Sequence, residues 1–271
     1  MPPLLFRTLS MWLGIPVLVI AMLWLKIPFK IERKDWRELL VLSATNMFVW
    51  HVCIILAIQS LSSGRAAILG YTMPIFSVFL GAVYVKSVMT AREWLGVAAA
   101  AIGVSLLLWH EMTGLSGRPL GVALALIAAA TWALGTQLLR RTKIEVPTMT
   151  ISFWMTVLAC AVMSTLTFIF ERSSWAMPSS TSWWSIIYNA VMVFGFAHAA
   201  WFYLARSLPP VASTLSVMLI PILGVFIGAY WLNEVLHWQD WAAVVLMVVA
   251  IGSVLAPSRA QTKSNSSAVK P

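Results

Sequence analysis

The chain has 271 residues, 61% hydrophobic and only 10% charged, too little polar surface to cover an apolar mass of this size in water. A mean hydropathy of +0.88 and recurrent apolar runs of about 20 residues, the length that spans a bilayer core as a helix, exclude an ordinary soluble domain. The net charge of +9 is spread over several short loops, which argues against nucleic acid as a partner and for a basic face lying on anionic lipid.

In chain order, the apolar runs predict helical spans at Leu5–Leu25, Trp36–Ile58, Ser62–Val85, Trp94–Trp109, Leu120–Leu139, Thr148–Phe170, Trp184–Leu204, Val211–Leu232 and Trp238–Leu255. The runs are apolar all round, as membrane spans are, without the polar face of an amphipathic soluble helix. Short connections between them hold nearly all the charges and turn residues. Thr113–Pro119 is the most linker-like of these, and the Ser-, Lys- and Asn-rich stretch after Pro257 has nothing to bury and is expected to be disordered. No signal-peptide pattern precedes or follows the first span.

The chain repeats itself at an offset of 147. Trp36 recurs as Trp183, His51 as His198, Ser60–Leu61 as Ser207–Leu208, and Pro74–Ile75 as Pro221–Ile222. Val78–Phe79, Gly81, Ala82 and Trp94 recur as Val225–Phe226, Gly228, Ala229 and Trp241. Trp, His and mid-span Pro are scarce, so their agreement at one offset marks a duplication of a long helical unit. The span Leu120–Leu139 opens the second unit and has no counterpart in the first. The expected fold is therefore an all-α membrane protein, an inverted repeat of two five-helix bundles with the first helix missing, which leaves nine transmembrane helices; a late start or a truncated gene would account for it. The expected segments are 1–110 and 120–256 for the repeats, 111–119 for the linker and 257–271 for the tail. With five helices per unit, the copies enter the bilayer from opposite sides.

Placing the tail in the cytoplasm puts 14 of the 18 Lys and Arg residues inside and leaves Arg7, Arg65, Arg118 and Arg172 outside, the bias that orients polytopic proteins. Inverted repeats suit alternating access, with a site near the midplane between the halves. Pro74 and Pro221, near the middle of their predicted spans, each remove a backbone hydrogen bond and are expected to kink the helix as hinges.

Polar groups within spans are costly and mark wet or protein-lined interiors. The candidates for substrate contact are His51, His198, Tyr71, Asn46, Trp132, Trp154 and Trp201. The two histidines are related by the repeat and lie at equivalent depth, and an imidazole can hydrogen-bond a solute or carry a proton. Trp36, Trp94, Trp109, Trp183, Trp184, Trp231, Trp238 and Trp241 sit near span ends, where indoles anchor to the interface. Arg7 has no carboxylate in its own span, and Glu234 or Asp240 on the same side could pair with it. His51 and Cys53 point to different sides of a helix, so no metal or cofactor is expected, and Cys53 and Cys160 form no evident disulfide.

These residues resemble the drug/metabolite transporter superfamily, and specifically its EamA-type members. The resemblance rests on the PPLLFRTLSMWL opening, on AAILGYTMPIFSVFLGAVYVKSVMTAREWLGVAAAAIGVSLLL, and on LPPVASTLSVMLIPILGVFIGAYWLNEVLHWQDWAAVVLMVVAIGSVL. It covers almost the whole chain. It implies ten helices, both termini cytoplasmic, and export or exchange of small organic solutes, often amino acids. Two departures stand out: the first helix is absent, and Lys86–Ser87 occupies the place of Asn233–Glu234. The expected function is export or exchange of amino-acid-like or drug-like metabolites across the plasma (inner) membrane, with no enzymatic activity. The alternatives are a truncated, non-transporting remnant, or an intramembrane enzyme acting on lipid-linked substrates. The enzyme would need clustered carboxylates, a metal set or a nucleophile beside a base, and the sequence has none of these. The expected partners are a small-molecule substrate, anionic lipid at the cytoplasmic face and, as one option, a second copy in a homodimer.

Overall fold

The computed structural model describes residues 1–61, 66, 69–85, 91–109, 118–208, 217, 219–231 and 236–255. The predicted span starts at Ser62 and Val211, the stretch 110–117, Asn233–Glu234 and the tail lie outside them.

Every regular element among the described residues is a helix. The first helix, α1 (Pro3–Trp24), starts with proline in its first turn, where no intrahelical N–H is needed. It ends on Lys26 at φ 54°. Ile27 N donates to Met22 O at 2.8 Å and Lys26 N to Leu23 O at 3.2 Å, while Ile27 packs in one cluster with Met22. That is a Schellman stop with lysine in the left-handed place usually given to glycine.

The rod α2 (Arg33–Ser60) follows, then α3 (Met73–Val85), α4 (Ala91–Trp109), α5 (Pro119–Arg141) and α6 (Thr148–Glu171). The rod α7 (Ser180–Ser207) precedes α8 (Leu219–Trp231) and α9 (Trp238–Leu255). Five of these elements, α1, α2, α5, α6 with its 3-10 extension, and α7, are long and apolar enough to cross a bilayer. The predicted spans ending at Val85 and Leu232 are represented by the 13-residue helices α3 and α8.

The rods α2 and α7 begin and end 147 residues apart, and each contains a π-helical stretch, Ala44–Phe48 and Asn189–Ala197. The second contains 191–195, the copies of 44–48. A π turn inserts a residue into the helical ladder and re-aims the side chains beyond it. Segments 147 residues apart also pack on one another. The helix α1 lies along α6, and α4 lies along α9, where Ala99, Ala100 and Val104 meet Ala243, Met247 and Ala250. Gly103 allows the close approach: a Cβ there would sit 3.3 Å from Ala243 O.

Polar pairs stitch α1 to α6. Glu171 accepts Leu4 N at 3.0 Å and Leu5 N at 2.7 Å, which caps the free N–H groups of α1 from another helix. Thr8 and Thr167 share a 2.8 Å hydrogen bond, and Trp12 Nε1 donates to Ser164 Oγ at 3.0 Å. At the other end, Arg206 donates to Val146 O at 3.3 Å and Thr148 Oγ1 at 3.2 Å, and Arg140 to Leu208 O at 3.0 Å. Large apolar side chains such as Ile20, Trp24, Phe170, Trp184 and Trp238 stand more than 60% exposed, the outward face expected of a protein solvated by acyl chains.

Two expectations need correction. Pro74 is not in mid-helix but occupies the second position of α3, whereas the residue before α8, whose described part holds Pro221, lies outside the described residues. Before Pro74 the chain turns at Tyr71–Thr72, and Thr72 O accepts from Ile75 N and Phe76 N. In a first turn proline lacks only an N–H that has no helical partner, so the interruption lies before the proline. Asp240, offered as a partner for Arg7, instead accepts His237 N at 2.8 Å; Glu234 lies outside the described residues.

Candidate functional site

The π stretch of α7 leaves Val193 O free to accept from His198, five residues on. The His198 backbone N–H bonds it, and so does the ring, with Nδ1 at 2.8 Å. A carbonyl only accepts, so Nδ1 carries the hydrogen and Nε2 of the neutral ring is an acceptor. Along α7, the spacing of four places Phe194, His198 and Phe202 on one stripe. Phe194 stacks on His198 at 5.1 Å and 5°, and Phe202 lies 6.1 Å beyond.

His51, just past the π turn of α2, reaches the same stripe. Its ring lies 5.6 Å from that of His198 and 5.4 Å from that of Phe194, and it is 1% exposed. Trp132 of α5 closes the group, 5.8 Å from His198, stacked on Phe202 at 6.0 Å and edge-on to Trp50 at 5.0 Å.

Asn46 sits one turn before Trp50, against Gly135 of α5. A Cβ on Gly135 would fall 2.6–2.7 Å from the Asn46 amide, so the missing side chain makes its room. Asn46 Nδ2 donates to Leu42 O at 3.0 Å, while Oδ1 is buried with no partner. Both nitrogens of His51, Trp132 Nε1, Thr136 Oγ1 and Arg7 Nε are likewise buried without hydrogen bonds. Arg7 Cζ lies 5.8 Å from the centroid of the Phe194 ring. Buried polar atoms are normally satisfied, and a gathering of orphans is the signature of a ligand site or a strained one.

Among the predicted residues, His51, His198 and Trp132 thus share one cluster, with Asn46 on the adjoining turn. Tyr71 is half-buried at the break before α3, beside Gly70, where a Cβ would approach Trp50 to 3.2 Å. Trp201 is half-buried with an unpaired Nε1. Trp154 is held otherwise: its Nε1 donates to Phe29 O at 2.7 Å and its ring stands edge-on to Trp36 at 5.1 Å. Phe194 and Phe202 were not singled out; the spacing of four from His198 was the signal for them. A buried bond from Gln137 Nε2 to Ser77 O at 3.1 Å and Ser77 Oγ at 3.0 Å joins α5 to α3 beside the site. Among the described residues, no group of three His, Cys, Asp or Glu side chains is placed to hold a metal.

The sequence profile of the EamA-like transporter family matches residues 1–109 and 119–256, and the chain belongs to that family. It is a multi-pass membrane transporter of the drug/metabolite type, not an enzyme. It is 23% identical over 252 residues, 92% of this chain and 85% of the relative, to the uncharacterized transporter YoaV of Bacillus subtilis. It is 28% identical over 194 residues to the uncharacterized inner membrane transporter YedA of Escherichia coli, a match covering 71% of this chain and 62% of that protein. A probable terminal-alkyne amino-acid exporter of Streptantibioticus cattleyicolor is 27% identical over 77% of this chain and 70% of its own. A solved crystal structure superposes with a TM-score of 0.77 over 94% of this chain and 88% of its own at 19% identity, a likeness that establishes the fold.

Proposed function

We propose that the chain exports or exchanges small organic solutes, amino-acid-like or drug-like, by alternating access of a site lined by His51, His198 and Trp132. The observation that carries this reading is the meeting of two imidazoles from equivalent positions of the repeat, 5.6 Å apart, among buried polar atoms without partners. The packing of α1 on α6 and of α4 on α9 supports two inverted units related about an axis near this pair. Rocking one unit on the other would open the site to alternate sides, with the break before Pro74 and the equivalent Pro221 as hinges.

The uneven distribution of Lys and Arg supports a cytoplasmic C-terminus on an anionic leaflet, and the named relative in Escherichia coli supports the inner membrane. The similarity to an amino-acid exporter supports amino-acid-like cargo. Efflux of radiolabelled amino acids from loaded vesicles tests the reading. His51→Ala and His198→Ala each remove an imidazole that would hydrogen-bond the solute, expected to slow flux about tenfold while leaving membrane insertion intact. Wild-type flux in both variants would remove the histidines from the site.

A further inference from the structure

We infer that Arg7, together with the indole N–H of Trp132, recognises a carboxylate on the transported solute, whose apolar body lies against Trp132 and Phe202. The inference rests on the site proposed above and adds the chemistry of its cargo. Arg7 enters from α1, and its guanidinium lies over Phe194, which stacks on His198. Its Nε is buried and unpaired. A guanidinium is always protonated and presents a fork of donors that fits a carboxylate in two places at once. A buried cation is normally paired.

The described carboxylates near either end of α1 and α9 are committed elsewhere, Glu171 to Leu4 N and Leu5 N and Asp240 to His237. One further orphan points the same way. Trp132 Nε1–H, in the aromatic cluster, is a donor without an acceptor. A buried cation with an unpaired donor, and an unmet indole N–H in the adjoining cluster, select an anionic head group. Trp132, stacked on Phe202 at 6.0 Å and inclined by 23°, is the aromatic wall beside these donors for the rest of the molecule. Asn46 Oδ1, an unmet acceptor, is the complement for an ammonium if the solute is an amino acid.

The test is binding to the full chain in lipid nanodiscs, read by tryptophan fluorescence, with two matched pairs of probes: phenylalanine with phenylalaninamide, and 3-phenylpropionate with 3-phenylpropionamide. The expected result is tighter binding of each acid than of its amide. Arg7→Gln should weaken the acids about 10- to 100-fold, the scale of a lost charged hydrogen bond, and leave the amides unchanged. Arg7→Lys should recover part of the loss. Equal binding of acid and amide by the wild-type protein would overturn the inference even if Arg7→Gln failed to fold, and so would acid affinity unchanged in Arg7→Gln. In either case, a loss of all four probes in Trp132→Ala would leave the site itself standing. No saturable binding of any probe by the wild-type protein would sink both the carboxylate and the site.

Discussion

Lys26 closes α1 in a conformation that costs an L-residue and suits glycine. Lys26→Gly should therefore raise stability by about 0.5–1 kcal/mol, read as an increase in the thermal midpoint of the detergent-solubilised protein. Glu171 does the opposite work at the other end of α1, meeting two N–H groups that would otherwise face a membrane boundary without partners. Glu171→Ala should cost about 1–2 kcal/mol by the scale of a lost helix cap, in the same assay. At Gly135 a methyl group would collide with Asn46. Gly135→Ala is expected to cut flux by about tenfold in the vesicle assay, with protein levels in the membrane unchanged.

Among elements, the crossing of α1 with α7 depends on two glycines. A Cβ on Gly14 would lie 2.6 Å from Phe194 Cβ and one on Gly195 2.6 Å from Val17 Cγ1. Gly14→Ala should cost about 1–3 kcal/mol by overpacking and push Phe194 out of its stack with His198. The measurement is the thermal midpoint together with flux, and both should fall. The spans themselves were legible from sequence because hydropathy and length report burial in lipid directly. The ends of α2 and α7 fall within a few residues of those read from composition. The π stretches were not legible, since nothing in ATNMF or NAVMVFGFA separates them from ordinary helix. Their consequence, the bond from His198 to Val193 O, was hidden with them. The position of Pro74 was misread for a related reason: the apolar run continues through the turn at Tyr71–Thr72, so hydropathy gives no sign of the interruption.

For the molecule as a whole, the repeat at 147 was the strongest signal, and it located the histidine pair. It could not assign Trp154, whose indole is directed to Phe29 O by the loop that Lys26 turns, nor the fate of Asp240. Such details depend on which way side chains face in three dimensions. Topology is open to a direct check. In a Cys53→Ala, Cys160→Ala background, Ser174→Cys should react with a membrane-impermeant maleimide in intact cells, and Lys143→Cys only after permeabilisation. The reverse pattern would invert the assignment of sides.

The two histidines related by the repeat are held differently. His198 has one ring nitrogen fastened to Val193 O, whereas both nitrogens of His51 are unengaged. A mirror-like machine with identical jaws would treat cargo alike from either direction. One imidazole is tethered and the other is not, so under the proposed mechanism the two halves would not hold cargo alike. Entry and departure need not retrace the same contacts.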